Sequence, residues 1–228
     1  MSHGSLPTVS DVTSYLANLP TPISVPGGFD VASRLSAAID DWNQRTGYRP
    51  FFQTSSTAQS IPFNPPGPDR LGGFVGGDCQ LLLTNGLLSC TSVVTGVDPS
   101  TGLGGSTLIQ GADYWLEPAL DPNVVPAPPY TSIMFAYVQR GQPQSIIVTG
   151  VWGYCTGTIP DGAWEGILLL AVANTLAAVR EGLMAGLIKI TDIDQSDEYD
   201  PALLLRMGRG VRGQAERYLY RYRLEHSY

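Results

Sequence analysis

The chain has 228 residues, of which 43% are hydrophobic and only 14% charged, with 26 glycines and 18 prolines. That length supports one large domain or two small ones with a real core, and the turn-rich composition excludes a coiled coil, an all-helical rod, a collagen and a disordered polymer. A formal charge of −7 argues against general attraction to nucleic-acid phosphates or to an anionic membrane.

Residues 6–19 place Val12, Tyr15, Leu16 and Leu19 at helical spacing behind Ser10 and Asp11, which predicts a short amphipathic helix ended by Pro20 and Pro22. Residues 1–5 enter no predicted element. Asp30 is a natural N-cap for a second helix carrying Val31, Leu35, Ala38, Ile39 and Trp42 on one stripe, with Gly47 past its end.

From residue 49 the period changes to that of strands, predicted at 51–54, 79–83, 87–95, 107–109, 114–116, 132–136 and 145–150. Asn85-Gly86 between two apolar runs reads as a type I′ hairpin turn. The proline-rich stretches 63–77 and 121–129 read as surface loops. Gly102, Gly104 and Gly105 lie in a turn-rich stretch and suit a β connection better than a phosphate cradle. Many short strands with frequent turns predict a compact sandwich or barrel-like module.

At Ile159-Pro160-Asp161 the helical period returns. Asp161 can cap a helix over 164–187 that is apolar nearly all round, which means burial at the centre of a fold or between subunits. The small residues Ala171, Ala173, Ala177, Ala178 and Gly182 would permit close approach there. Five acidic residues in 192–200 then precede Pro201 and make a solvated break. The expected fold is therefore α+β: a helical bundle with an inserted antiparallel β module and an extended C-terminal tail. Its parts are 1–48 (N-terminal helices), 49–158 (β module), 159–200 (long helix) and 201–228 (tail).

Enzyme and metal motifs are missing from the pattern. There is no GxSxG, Walker loop, helix-opening GxGxxG or HExxH. The three cysteines, Cys79, Cys90 and Cys155, have no CxxC spacing, and His3 and His226 lie near opposite termini, so neither a zinc site nor a catalytic dyad can be assembled. Asp40-Asp41 reads as the solvated face of a helix. No catalytic residue, metal or cofactor is expected. Reduced thiols suit cytosolic folding, and with no signal-peptide pattern and apolar runs short of a bilayer span, a chain neither secreted nor membrane-spanning is expected.

Charge divides the chain more sharply than composition. Residues 201–228 carry six arginines against two glutamates, a net +4, so the first 200 carry −11. Arg206, Arg209, Arg212, Arg217 and Arg221 fall near helical spacing, while Tyr218, Tyr220 and Tyr222 alternate as in a strand. Arginine interleaved with tyrosine suits docking on an acidic protein surface, since both are enriched at interface hot spots. Stacking on single-stranded nucleic acid is the competing use. The acidic body favours docking.

Taken in order, several elements resemble the head-tail connector, or adaptor, proteins of tailed double-stranded DNA bacteriophages. These are the helix from Asp30 to Trp42 followed by Gly47-Tyr48, then Tyr114-Trp115-Leu116-Glu117-Pro118, then Pro129-Tyr130. Above all, the segment Ile146-Ile147-Val148-Thr149-Gly150-Val151-Trp152-Gly153-Tyr154, followed by Ile159-Pro160-Asp161 and the apolar helix, is similar to members with a β insertion between their helices.

The resemblance implies a virion protein of the portal vertex and neck, folded and assembled in the host cytoplasm. It further implies a homo-oligomeric ring, commonly of twelve copies, that binds the portal protein, meets tail or neck proteins, and passes double-stranded DNA without specific binding or any membrane. A C-terminal segment often reaches the portal in such proteins. That role would fall here to Arg206, Arg209, Arg212, Arg217, Tyr218, Tyr220, Arg221 and Tyr222, with Trp164 and Leu168 packing against neighbouring subunits. Removing residues 202–228 is then expected to leave a folded body that no longer docks. The alternative from another class is a carbohydrate- or ligand-binding β module with Trp115 and Tyr130 in a surface groove.

Overall fold

The computed structural model describes residues 2–23, 25, 29–54, 57–66, 79–118, 129–137, 139, 141–184 and 201–223. In chain order its elements are β1 (Ser2–His3), α1 (Val9–Ala17), α2 (Val31–Thr46), β2 (Phe52–Gln53), β3 (Gln59–Phe63), β4 (Gln80–Val97), β5 (Gly104–Thr107), β6 (Tyr114–Glu117), β7 (Tyr130–Phe135), β8 (Ile146–Trp152), β9 (Cys155–Thr156), β10 (Ile159–Pro160), α3 (Asp161–Met184) and α4 (Pro201–Arg221). The fold is α+β, with helices and a curled antiparallel sheet. Contacts divide it into a helical unit, residues up to Thr46 with Ile159–Arg223, and a β unit, Gly47–Thr158.

In the helical unit the starts of α1, α2 and α3 have chemical causes. Thr8 Oγ1 accepts from the Asp11 backbone N–H at 3.3 Å while an Asp11 carboxylate oxygen accepts from the Thr8 N–H at 2.7 Å, a reciprocal cap that starts α1. Asp30 accepts from the Ser33 N–H at 2.9 Å and caps α2. Gly47, at φ 85°, ends it in a conformation that a side chain would resist. Val31, Leu35, Ala38 and Trp42 form the buried stripe of α2, joined by Thr46.

The central helix is α3, which packs against α1, α2 and α4. It begins at Asp161 itself, an acid where the helix dipole favours one. Ile167, Leu169, Leu170, Val172, Leu176 and Val179 are all but fully buried. By length and composition α3 could cross a membrane, although its uninterrupted apolar runs read as too short for a span, and most of it is buried as a core helix. Its predicted end at 185–187 and the acidic break at 192–200 lie outside the described residues. The ring of His3 stacks on Trp164 with centroids 4.0 Å apart, and β1 pairs with β10.

The C-terminal segment corrects the expectation of an extended tail. Residues 201–221 are helix α4, whose Leu204, Val211, Ala215 and Leu219 are buried against α3. Helical periodicity prevails over the tyrosine alternation because that spacing lines up four apolar side chains that an extended chain would leave in water.

In the β unit the largest sheet runs β3-β8-β4-β7-β6, all antiparallel, with β5 also on β4. The predicted hairpin at Asn85-Gly86 does not form. Instead β4 runs for 18 residues, pairing with β7 through its first half and with β8 through its second, with register shifts beside Leu87. Tertiary contacts override the local turn chemistry. Asn85 accepts from the Arg49 N–H at 3.1 Å and donates to the Arg49 carbonyl at 3.3 Å. At Gly86 a Cβ would lie 2.6 Å from the Gly153 carbonyl oxygen, so glycine serves close approach.

The predicted strand at 107–109 is displaced to Gly104–Thr107, and β3 was not foreseen. Alternation in β8 directs Ile146, Val148 and Trp152 into a core with Phe63, Leu83, Leu87, Val93, Ile133 and Phe135. The Trp152 indole N–H donates to the Gln59 carbonyl at 2.9 Å, tying the core to β3. Beyond this sheet β2 and β9 pair in parallel, and Phe51 stacks on Tyr154 at 4.5 Å with Tyr48 edge-on to both. Most of the predicted loops at 63–77 and 121–129 lies outside the described residues.

Candidate functional site

The helical winding of α4, about 100° per residue, sorts the eight C-terminal residues singled out in the sequence into three sets. Arg206, Arg217 and Tyr220 stand opposite the buried stripe and are exposed, Tyr220 to 70%. No ion pair forms at Arg206 or Arg217 among the described residues. Arg209 and Arg212 lie to one side, facing a groove shared with α3.

Tyr218 and Tyr222 turn the other way, toward α3 and α2. The Tyr218 hydroxyl donates to a Glu165 carboxylate oxygen at 2.7 Å, a bond that with the neighbouring negative charge raises its pKa. The Tyr222 ring lies 6.0 Å from that of Trp42. Arg221 sits over the Tyr218 ring, 5.7 Å from its centroid. These two tyrosines fasten α4 to its own unit. Tyr220 is the tyrosine left for a partner.

An ion pair also anchors the helix. Arg45 of α2 makes a forked pair with Glu216, whose carboxyl pKa is lowered chiefly by the hydrogen bond from that guanidinium. Arg212 reaches the same carboxylate only at 3.8 Å. Since α4 contributes buried side chains, a hydrogen bond and this pair to the helical unit, removing residues 202–228 would strip the cover from α3. On that ground the truncated body is expected to lose stability, which a melt of the 202–228 deletion would measure.

Of the two residues expected to pack against neighbouring subunits, Leu168 is buried within the chain while Trp164 is only half-buried. Leu168 is 6% exposed, and Trp164 is partly covered by His3. Of the two aromatic residues proposed for a surface groove on the β unit, Tyr130 is half-buried against the sheet core, while Trp115 stands 46% exposed on β6.

The groove on the flank of α4 is lined by Ala173, Ala177, Arg180, Leu204, Leu205, Gly208, Arg209 and Arg212 and holds about 150 Å³. The sequence pattern did not single out Arg180 or Leu205. The available clue was that Arg180 is the one basic residue in α3.

Among the described residues no three His, Cys, Asp or Glu side chains gather as a metal site would require. Burial pushes the Cys155 thiol up to about 12 and raises that of Cys90, the reverse of an activated nucleophile.

No family model matches the sequence, and no curated protein matches it. Two solved structures are similar over nearly the whole chain. One is a chain in the neck of an empty gene transfer agent particle computed with C6 symmetry, at 15% identity and TM-score 0.46, covering 96% of this chain and 93% of that one. The other belongs to the virion of a native gene transfer agent particle, at 13% identity and TM-score 0.47, covering 100% of this chain and 96% of that one.

Proposed function

We propose that this chain is a non-enzymatic structural subunit of a phage virion, a head-tail adaptor that docks on the portal vertex through the outer face of α4. The observation that carries the reading is the cationic row Arg206 and Arg217 with exposed Tyr220, without an ion pair among the described residues and borne by a protein whose first 200 residues carry −11. Such a face attracts an acidic partner surface. Arginine and tyrosine are also the side chains that contribute most at protein interfaces.

The resemblance of the helix, β insertion and Val148-Thr149-Gly150-Val151-Trp152-Gly153-Tyr154 order to connector proteins supplies the partner: the portal ring on one side, tail or neck proteins on the other. In this reading several copies, twelve by that resemblance, form a ring in the neck. Its acidic body opposes adsorption of the DNA that passes. The work done is geometric, matching one annular surface to another.

Light scattering of the purified chain, alone and mixed with portal rings, tests this. Co-elution with the portal supports the adaptor role, whereas a chain that stays monomeric and ignores the portal refutes it. Because deletion of α4 would uncover the face of α3 that it packs against, the docking face is probed with the triple variant Arg206→Glu, Arg217→Glu and Tyr220→Ala. Portal capture is expected to be lost while the thermal melt is retained.

A further inference from the structure

The flank of α4 carries a second surface, distinct from the outer row. Its floor is apolar, made by Ala173, Ala177, Leu204 and Leu205, and Ala177 and Leu205 remain exposed. A volume of about 150 Å³ is well below the range of roughly 300–1,000 Å³ typical of small-molecule pockets. It accepts instead one large apolar side chain, the way an anchor residue fills an interface pocket.

Three guanidinium groups border that floor, from Arg180, Arg209 and Arg212, and among the described residues no carboxylate lines it. Arg180 Nε is shielded from solvent with no hydrogen-bond partner among the described residues. Among the described residues Arg212 has only the distant contact to Glu216, a carboxylate already held by Arg45. A buried donor of this kind is costly until an acceptor reaches it, and a carboxylate is the acceptor that a guanidinium fork fits best.

We infer that the groove between α3 and α4 receives an acidic peptide segment of a partner chain, anchored by one large apolar side chain in the groove and flanked by carboxylates on Arg180, Arg209 and Arg212. This surface acts independently of the outer row of α4, so it stands whether or not that row docks on a portal.

The test uses the full chain and a dye-labelled synthetic peptide of Glu and Leu at helical spacing, read by fluorescence anisotropy. A matched peptide with Lys in place of Glu serves as the control. Gly208→Leu plugs the groove: a Cβ there would meet only Leu176 Cβ at 3.8 Å, an ordinary contact, and leucine is the better helix former. Arg180→Gln removes that charge and leaves a shorter, neutral polar side chain.

The Glu/Leu peptide is expected to bind, and to bind at least about tenfold more weakly in each variant, with unchanged melts. Equal binding of the Lys/Leu peptide, or undiminished binding by both variants, overturns the assignment. If the wild-type chain ignores the peptide but self-associates, and Gly208→Leu restores the monomer, the occupant is a second copy and the proposal falls. Portal capture separates the two readings, since it is expected to fail in the outer-row triple variant and to survive in Gly208→Leu.

Discussion

Helices α3 and α4 pack side by side with 24 and 21 residues, yet they are built on opposite rules. The first is apolar on nearly every side and packs against α1, α2 and α4. The second buries one stripe, Leu204, Val211, Ala215 and Leu219, and turns arginines outward. An all-round apolar helix states that it is surrounded, whereas an amphipathic helix with unpaired charge on its outer face leaves something for a partner.

The largest expected effect tests the inner side of that contrast. Leu169→Ala in α3, where the side chain is 0% exposed, is expected to destabilise by about 2–5 kcal/mol from lost burial plus the cavity left behind. Leu205→Ala in α4, at 37% exposure, should stay within about 0.5 kcal/mol. Urea denaturation of both variants checks the pair, and similar losses would mean that α4 is as enclosed as α3.

Glycines sharpen the comparison by reversing sign. A Cβ at Gly166 of α3 would overlap the Trp42 ring, and Trp42 is fully buried. Gly166→Ala is therefore expected to cost about 1–3 kcal/mol by overpacking. At Gly210 of α4 a Cβ would meet nothing within 4 Å, so Gly210→Ala should gain up to about 1 kcal/mol from helix propensity alone. Thermal melts that move in opposite directions are the expected result.

How far all this could be read in advance depends on which interactions are local. The cap of α2 was legible because Asp30 acts on a neighbour three residues away, whereas α1 starts at a Thr8 cap, ahead of the Ser10-Asp11 start the pattern pointed to. Asn85-Gly86 misled because the same two residues that favour a turn locally are used by Arg49 and Gly153, far away in sequence. Strand β3 was hidden by Pro62, which is tolerated because β3 is the edge of its sheet. In α4 the arginines stand out in the sequence as a set, but only the packed helix separates Tyr218 and Tyr222, committed inward, from Tyr220. The groove combines residues from two helices, a juxtaposition that no single stretch of sequence announces.

A smaller effect concerns the pair that joins α2 to α4. Because the pKa of Glu216 is lowered in the folded chain, its contribution is fully present above the unfolded carboxylate value of about 4.3. That contribution is lost as the pH falls through the lower folded value. With the two side chains 33% and 40% exposed, solvent screening keeps the gain below about 1 kcal/mol. Arg45→Gln should flatten this part of the acid limb of a stability profile, leaving the part due to Asp11, whose pKa is also lowered, by its bonds with Thr8. An unchanged profile would show that the forked pair adds nothing measurable.

The smallest effect on stability belongs to the outer row, and that is what makes it informative. Arg206 and Arg217 are exposed and unpaired among the described residues, so Arg206→Ala with Arg217→Ala should leave the melt within about 0.5 kcal/mol of wild type. Removing two guanidiniums from the centre of a docking face should nevertheless lower portal affinity by about tenfold or more and make the remaining binding less sensitive to salt. A cationic row that only solvates α4 would lose neither, and a row that stabilises α4 would lose the melt first. Measuring both on one variant separates a surface kept for a partner from a surface kept for the fold.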